Sequence, residues 1–349
     1  MNKRVHIVGS HGLYASYGGW DQLVINLAEL KSNKVEYLIF NPKETPIKNN
    51  LKGVYVKKLP FLGNGGQGLI FDCLSLIMSF NADAIVMLGM KAMPVAMAVK
   101  FVRPKIKLIV NIGGIEWERP QFNRAFKLYL RFCFYLAKKI ANTIVVDNEC
   151  YKELFDDAHI SKISKISYGG TIDDSLKKSD VFKNFSFINS EYYLSISRSI
   201  EDNKLEELCN MFSKIPSKRL VLISNFSNSV YGNGIYSRYK KYSNIILIDG
   251  LYYKPQLDVI RRSCKAYIHT HTLCGSAPSL IEMIVCRVPI FSIDVIQNRY
   301  TLCMHGSYFK SFEELSFMIT KELIPNAPSP EFALNYDWNN VVSMYEELI

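Results

Sequence analysis

One alternation, a short apolar strand followed by a small-residue loop and then an amphipathic helix, runs through this chain twice, and few folds accommodate it. It opens with the strand-like "RVHIVGS", the glycine-bearing loop "HGLYASYGG" and the helical "WDQLVINLAELK", whose Leu23, Val24, Leu27 and Leu30 share a face. The strand-like runs "VEYLIF", "ADAIVMLG", "KLIVNIGG" and "NTIVVD" follow, separated by helical or mixed segments. Strands joined by helical crossovers lie parallel, so the first half reads as a doubly wound α/β sheet. Periodicity then lapses over "DDSLKKSDVFKNFSFINS" (173–190) and restarts at "YYLSISRS", with "RLVLISN", "NIILIDG", "AYIHTH" and "VPIFSI" as further strands. The expected organisation is an N-terminal Rossmann-like domain over 1–172, a linker over 173–190 and a C-terminal Rossmann-like domain over 191–349. The last helix, near "WNNVVSMYEEL", is free to pack on either half. Two such domains are expected to face a central cleft at the carboxyl ends of their strands, where open α/β sheets bind ligands.

Bulk properties narrow the function. At 349 residues, 48% hydrophobic and 21% charged, the chain has the make-up of two folded domains. Its start lacks the apolar core of a secretory signal, and no run approaches the roughly 20 apolar residues of a membrane span, so a cytoplasmic, non-spanning protein is expected. The eight cysteines are scattered without a CxxC pair and read as reduced thiols. A net charge of +10 asks for an anionic partner: nucleic acid, lipid headgroups or a phosphorylated substrate.

The stretch "IHTHTLCGSAPSLIEMIVCRVPIFSIDVIQNR" concentrates the chemistry. On a strand His269 and His271 share a face, but His6, His11, His159 and His305 sit in no metal-ligand spacing with carboxylates. A substrate-facing role is therefore preferred to a metal pair or two structural histidines. Gly275 loosens the next turn, Ser276 is expected to cap a helix beginning at Pro278, and Ser279 follows. Free amides at such a helix start seat a diphosphate, and Glu282, one turn further in, is placed to accept hydrogen bonds from sugar hydroxyls. Arg198, at the end of "YYLSIS", and Lys204, starting the next helix, would neutralise the phosphates.

These segments, with "GGIEWERPQFNR", "VVDNE", "ISYGG" and "ISNFSNSVYG", resemble the retaining GT-B glycosyltransferases of family 4. The similarity is greater to the bacterial rhamnosyltransferase-like subgroup that builds capsule and O-antigen chains. The resemblance implies transfer of rhamnose or another hexose from a nucleotide diphosphate donor to a lipid-linked saccharide, with no metal or other cofactor. Gly18 and Gly19 match the loop that donor phosphate and acceptor approach. Arg198 matches the diphosphate-binding arginine, Glu282 the glutamate that holds the nucleotide ribose, and His269 and His271 the subgroup's HxH. Tyr17, Trp20, Asp21, Glu116, Trp117 and Arg119 fall on the acceptor side. The chain departs from the pattern in four places. Cys274 replaces the first glutamate of the family pair, and Asn203 stands at the phosphate-binding lysine, with Lys204 beside it. Trp20-Asp21 replaces Phe-Glu, and Ala277 replaces the Asn before Pro-Ser.

No nucleophile pair is evident, so catalysis is expected to lie in the anion seat, with front-face displacement of the diphosphate. In "RPQFNRAFKLYLRFCFYLAKKIAN", Arg124, Lys127, Arg131 and Lys138 recur at helical spacing among apolar residues, a pattern suited to an anionic bilayer and to peripheral attachment at the inner face of the cytoplasmic membrane. Two rivals remain: a GT-B-fold sugar-nucleotide epimerase, and a nucleic-acid-binding protein, for which no RNP motif or helix-turn-helix is present. The first loop lacks GxGxxG, which disfavours hydride transfer.

Overall fold

A computed structural model describes residues 2–15, 18–47, 50–118 and 122–349. The chain divides into two compact units, one formed by residues up to Tyr168 together with Trp338–Ile349, the other by Gly169–Asp337. In the first unit the strands are β1 (Lys3–Val8), β2 (Val35–Asn41), β3 (Val54–Lys58), β4 (Ala84–Leu88), β5 (Lys107–Asn111), β6 (Thr143–Val146) and β7 (Ile163–Lys165). They form a wholly parallel sheet in the order β3-β2-β1-β4-β5-β6-β7. The second unit contributes β8 (Tyr193–Ile196), β9 (Leu220–Ser224), β10 (Ile245–Asp249), β11 (Ala266–His269), β12 (Ile290–Ile293) and β13 (Ser307–Phe309). These too are parallel, in the order β10-β9-β8-β11-β12-β13.

The helices follow the apolar spacing. In the first unit α1 (Gly19–Leu30), α2 (Gly65–Ile77), α3 (Met93–Val102), α4 (Arg124–Ile140) and the short α5 (Asp157–Ile160) connect the strands. One sheet face buries Phe71 and Leu76 of α2, Met93 and Val99 of α3, and Leu130 and Phe134 of α4. In the second unit come α6 (Lys178–Phe182), α7 (Leu205–Ser213), α8 (Val230–Tyr239), α9 (Lys254–Ser263), α10 (Pro278–Val285), α11 (Ile296–Leu302), α12 (Phe312–Thr320) and α13 (Pro330–Leu334). Leu208 and Phe212 of α7 and Leu315 of α12 are fully buried against Tyr193, Leu222 and Phe291 of the sheet.

Two features differ from the expected organisation. Residues 173–190 are not a linker: they hold α6 and a 3-10 turn (Ser186–Asn189), bury Val181 and Ile188 completely, and belong to the second unit. The backbone amide of Asp173 donates to Asp258 Oδ2 at 2.9 Å, tying the segment's start to α9. The final helix, α14 (Trp338–Glu347), belongs to the first unit. Its Trp338, Val341, Val342 and Tyr345 join Leu23, Val24 and Leu27 of α1 in covering the other face of the first sheet. The Tyr345 hydroxyl meets the Asn111 amide at 2.7 Å, and Glu346 accepts from the Ser32 amide at 2.7 Å.

Strand order reverses between β1 and β4 in the first unit and between β8 and β11 in the second. At such switch points the following loops part to opposite faces and leave a crevice at the carboxyl edge. At the first one the backbones touch. Gly9, with φ of 94°, follows β1, and a Cβ there would lie 2.1 Å from the Leu88 carbonyl oxygen at the end of β4.

Candidate functional site

The loops that leave β8 and β11 bring together most of the donor-side residues read from the sequence. Arg198 lies two residues past β8, exposed, and makes no ion pair among the described residues. His269 ends β11 and His271 follows, their ring centroids 4.3 Å apart. His269 is fully buried, and among the described residues neither of its ring nitrogens nor Nε2 of His271 has a hydrogen-bond partner. Burial and, secondarily, the neighbouring His271 hold His269 well below its usual pKa. Burial, followed by the positive charge of Arg198, lowers His271 to about 3. Both imidazoles are thus neutral across the physiological range. The positive charge at this edge comes from Arg198.

Helix α10 starts at Pro278 as its sequence predicts, but its N-cap is Ala277. Ser276, one position earlier and buried, is not the N-cap residue. Gly275 is buried beside it, while Pro278 and Ser279 are partly exposed. Tyr267, buried one strand residue pair inside the site, donates its hydroxyl to the Ile196 carbonyl at 3.1 Å and so ties β11 to the end of β8.

Glu282 is mostly buried and ion-paired through Oε2 to Nη2 of Arg261. Arg261, on α9, is itself buried and also bonds Asp258 Oδ1 at 2.7 Å, while Lys254 approaches Asp258 Oδ2 at 2.5 Å. This chain of alternating charges fixes the direction of the Glu282 carboxylate. Nothing in "KPQLDVIRRS" beyond helical spacing marks it, because the pairing partner lies on α10, 21 residues away. Asn203, at the expected lysine position, is buried and donates to the Arg198 carbonyl at 2.8 Å, so it shapes the turn that presents Arg198. Lys204 adopts a left-handed conformation (φ 54°) and pairs with Glu207 at 3.3 Å.

In the first unit Gly18 is the extended N-cap of α1, with open space where a Cβ would stand, and Gly19 begins the helix. Asp21 is buried and closes the cap: its carboxylate accepts the Gly18 amide at 3.1 Å and the His11 amide at 3.0 Å. Trp20 lies over the ends of β4 and β5, its ring filling the space that side chains would take at Gly89 and Gly113. Glu116 is partly exposed. Trp117 is buried and packs on Phe134, ring centroids 4.9 Å apart, so it serves the core. Tyr17 and Arg119 lie outside the described residues.

The sequence reading missed a polar group at the β1/β4 switch point. Asp72, buried on α2, pairs with Lys91 at 3.1 Å, and burial, only partly offset by Lys91, raises its carboxyl to about 6. His11 bonds Asp21 at 3.3 Å and Asn64 at 3.0 Å; burial lowers its pKa, but these bonds outweigh it and the net shift is upward. Of the basic residues expected on α4, Arg124 is exposed, Lys127 is partly buried, Arg131 reaches Glu118 at 3.3 Å, and Lys138 is turned toward Asp156 at 3.7 Å. Among the described residues, no group of three or more His, Cys, Asp or Glu is placed to hold a metal.

A family model described as a domain of unknown function (DUF1972) matches residues 2–171. No curated protein matches by sequence. Solved structures match over nearly the whole chain. Sucrose-phosphate synthase from Thermosynechococcus elongatus is similar at a TM-score of 0.77 and 13% identity, covering 99% of this chain and 98% of that one. Anabaena HepE in complex with UDP gives a TM-score of 0.70 at 15% identity, with coverage of 99% and 98%. The catalytic domain of starch synthase IV from Arabidopsis thaliana, bound to ADP and acarbose, gives 0.67 at 13%, again covering 99% and 98%. The fold is GT-B. In this GT-B chain the DUF1972 match coincides almost entirely with the first unit, and the Arg198, HxH and α10 cluster lies in the second.

Proposed function

We propose that this chain is a retaining glycosyltransferase of the rhamnosyltransferase-like subgroup. In this reading it moves a hexose from a nucleotide diphosphate donor to a lipid-linked saccharide during bacterial surface polysaccharide synthesis. The observation that carries the reading is the gathering of Arg198, His269, His271 and the start of α10 around one switch point of a GT-B unit. The similarity to HepE, solved with UDP and with UDP-glucose, supports a nucleotide-sugar donor.

The diphosphate sits against the Arg198 guanidinium and the first free amides of α10, which face the charge that grows as it departs. Glu282, steered by Arg261, accepts from the ribose hydroxyls, and the neutral, partly exposed His271 stands beside the donor sugar, where Cys274 has no carboxylate. The bond from the sugar's anomeric carbon to the phosphate oxygen breaks as the acceptor oxygen bonds that carbon on the same face. The acceptor proton passes to the leaving phosphate oxygen, so configuration is retained and the reading calls for no metal.

The test is a thermal-shift screen of nucleotide sugars followed by transfer to a lipid-diphosphate acceptor, with Arg198→Ala and Glu282→Ala beside wild type. Wild-type turnover in both variants removes the site, and a converted sugar formed without acceptor replaces transfer with epimerisation.

A further inference from the structure

We propose that Asp258 is a positioning residue for the donor site: by occupying one terminal nitrogen of Arg261, it keeps one oxygen of Glu282 free for a sugar hydroxyl of the nucleotide. The proposal rests on the reading that Glu282 accepts from the donor's ribose.

An arginine and a carboxylate left to themselves tend to close into a fork, with two parallel N–H bonds to the two oxygens. A fork between Arg261 and Glu282 would tie both carboxylate oxygens to the guanidinium. The structure divides the guanidinium instead. Its Nη1 donates to Asp258 Oδ1 at 2.7 Å and its Nη2 to Glu282 Oε2. Among the described residues Glu282 Oε1 makes no hydrogen bond, and the Glu282 side chain is 14% exposed where that of Arg261 is only 3%. One oxygen is anchored and the other is left for a ligand.

Asp258 is itself held from two sides. It is fully buried on α9, and its Oδ2 accepts from Lys254 Nζ at 2.5 Å and from the Asp173 backbone amide at 2.9 Å, which leaves Oδ1 for Arg261. Lys254 also donates to the Thr171 carbonyl at 2.6 Å, and Arg262 pairs with Asp174 at 2.6 Å. Gly170 runs so close to α10 that a Cβ there would lie 3.5 Å from the Glu282 Cα. Residues 170–174, at the start of the second unit, therefore lie against both helices and fix Asp258 relative to Glu282. Lys254 and Arg261 balance Asp258 and Glu282, so the group carries no net charge. An asparagine cannot take the place of Asp258. Its oxygen would stay with the two donors now at Oδ2, and its NH2 would then face Nη1, donor against donor. The guanidinium would turn both nitrogens to Glu282 and close the fork.

The experiment measures binding of UDP, GDP and TDP to the full chain by isothermal titration calorimetry and follows the nucleotide that wild type binds most tightly, with far-UV circular dichroism and Tm confirming that each variant folds. Asp258→Asn should weaken binding roughly tenfold, the worth of a hydrogen bond to a charged group, and Glu282→Ala should weaken it at least as much. Asp258→Asn/Glu282→Ala should bind as Glu282→Ala does, since Asp258 acts only through that carboxylate. Arg262→Gln, which loosens the same segment without touching Oδ1, should bind as wild type does. Wild-type affinity in Asp258→Asn overturns the proposal, as does a further loss on top of Glu282→Ala or an equal loss in Arg262→Gln. Should Asp258→Asn not fold, a crystal structure of wild type with the same nucleotide decides: a sugar hydroxyl on Glu282 Oε1 with Arg261 Nη1 still on Asp258 upholds the proposal, and both terminal nitrogens on Glu282 overturn it. Wild-type affinity in Glu282→Ala, or no nucleotide bound by wild type, removes the donor reading itself, whereas a loss in Glu282→Ala without one in Asp258→Asn removes this inference alone.

Discussion

Acid should unfold the second unit through its buried histidine pair. The unfolded His271 imidazole takes up a proton near 6.5 and the folded one only near 3, because burial and Arg198 both oppose the charge. Between those values the unfolded chain binds more protons, so stability falls with pH, and below about 3 both states are charged and the loss is complete. Each unit of pH in that window costs about 1.4 kcal/mol, so going from pH 6.5 to pH 5 removes about 2 kcal/mol through His271 alone. His269, held low by the same burial, acts in the same direction. That is a large share of a domain stability of roughly 5–15 kcal/mol. The three tryptophans, Trp20, Trp117 and Trp338, all lie in the first unit, so their fluorescence follows that unit while circular dichroism follows both. In urea titrations at pH 7 and pH 5, the part of the dichroism change that belongs to the second unit should move to lower urea. His271→Gln should recover about 2 kcal/mol of the pH 5 loss. Wild type and His271→Gln losing the same stability, or an NMR titration placing His271 near 6.5, would refute the reasoning.

Other outcomes follow from the same geometry. Arg198→Ala should lower transfer by roughly ten- to hundredfold, the worth of a charge-assisted bond to phosphate, while leaving the urea midpoint unchanged because Arg198 is exposed. Arg261→Met should destabilise by about 3–5 kcal/mol in urea, since it leaves the mostly buried Glu282 without its cation and the buried Asp258 with Lys254 alone. Gly113→Ala should cost about 1–3 kcal/mol, because φ is 65° there and the new Cβ would stand 2.5 Å from the Trp20 ring. Repeating it in a Trp20→Ala background should recover the steric part, and a full penalty there would place the strain in the backbone alone.

The parallel sheets were legible because each buried strand is a short apolar run that needs no partner to be recognised, as "AIVML" and "LVLIS" show. The grouping of residues at the β8 and β11 ends was legible in part, since Arg198 and His269 stand where a strand ends and Glu282 lies one turn into the helix that follows. What escaped was set by distance along the chain. Val181, Phe187 and Ile188 have no period among themselves and are buried only by the unit that closes over them, so residues 173–190 read as a linker. The Arg261–Glu282 and Asp72–Lys91 pairs join helices to residues 19 to 21 positions away, and neither helix pattern announces a partner. Ser276 looked like a cap because its residue type favours that role, but the helix places Ala277 there and buries the serine.

The placement of α14 has a further consequence for synthesis. The second unit is an insertion within the first, bounded by β7 on one side and α14 on the other. A ribosome therefore delivers the whole of the inserted unit before Trp338, Val341 and Tyr345 emerge to cover α1. Until then α1 covers that sheet face without α14, so the part made first is finished last.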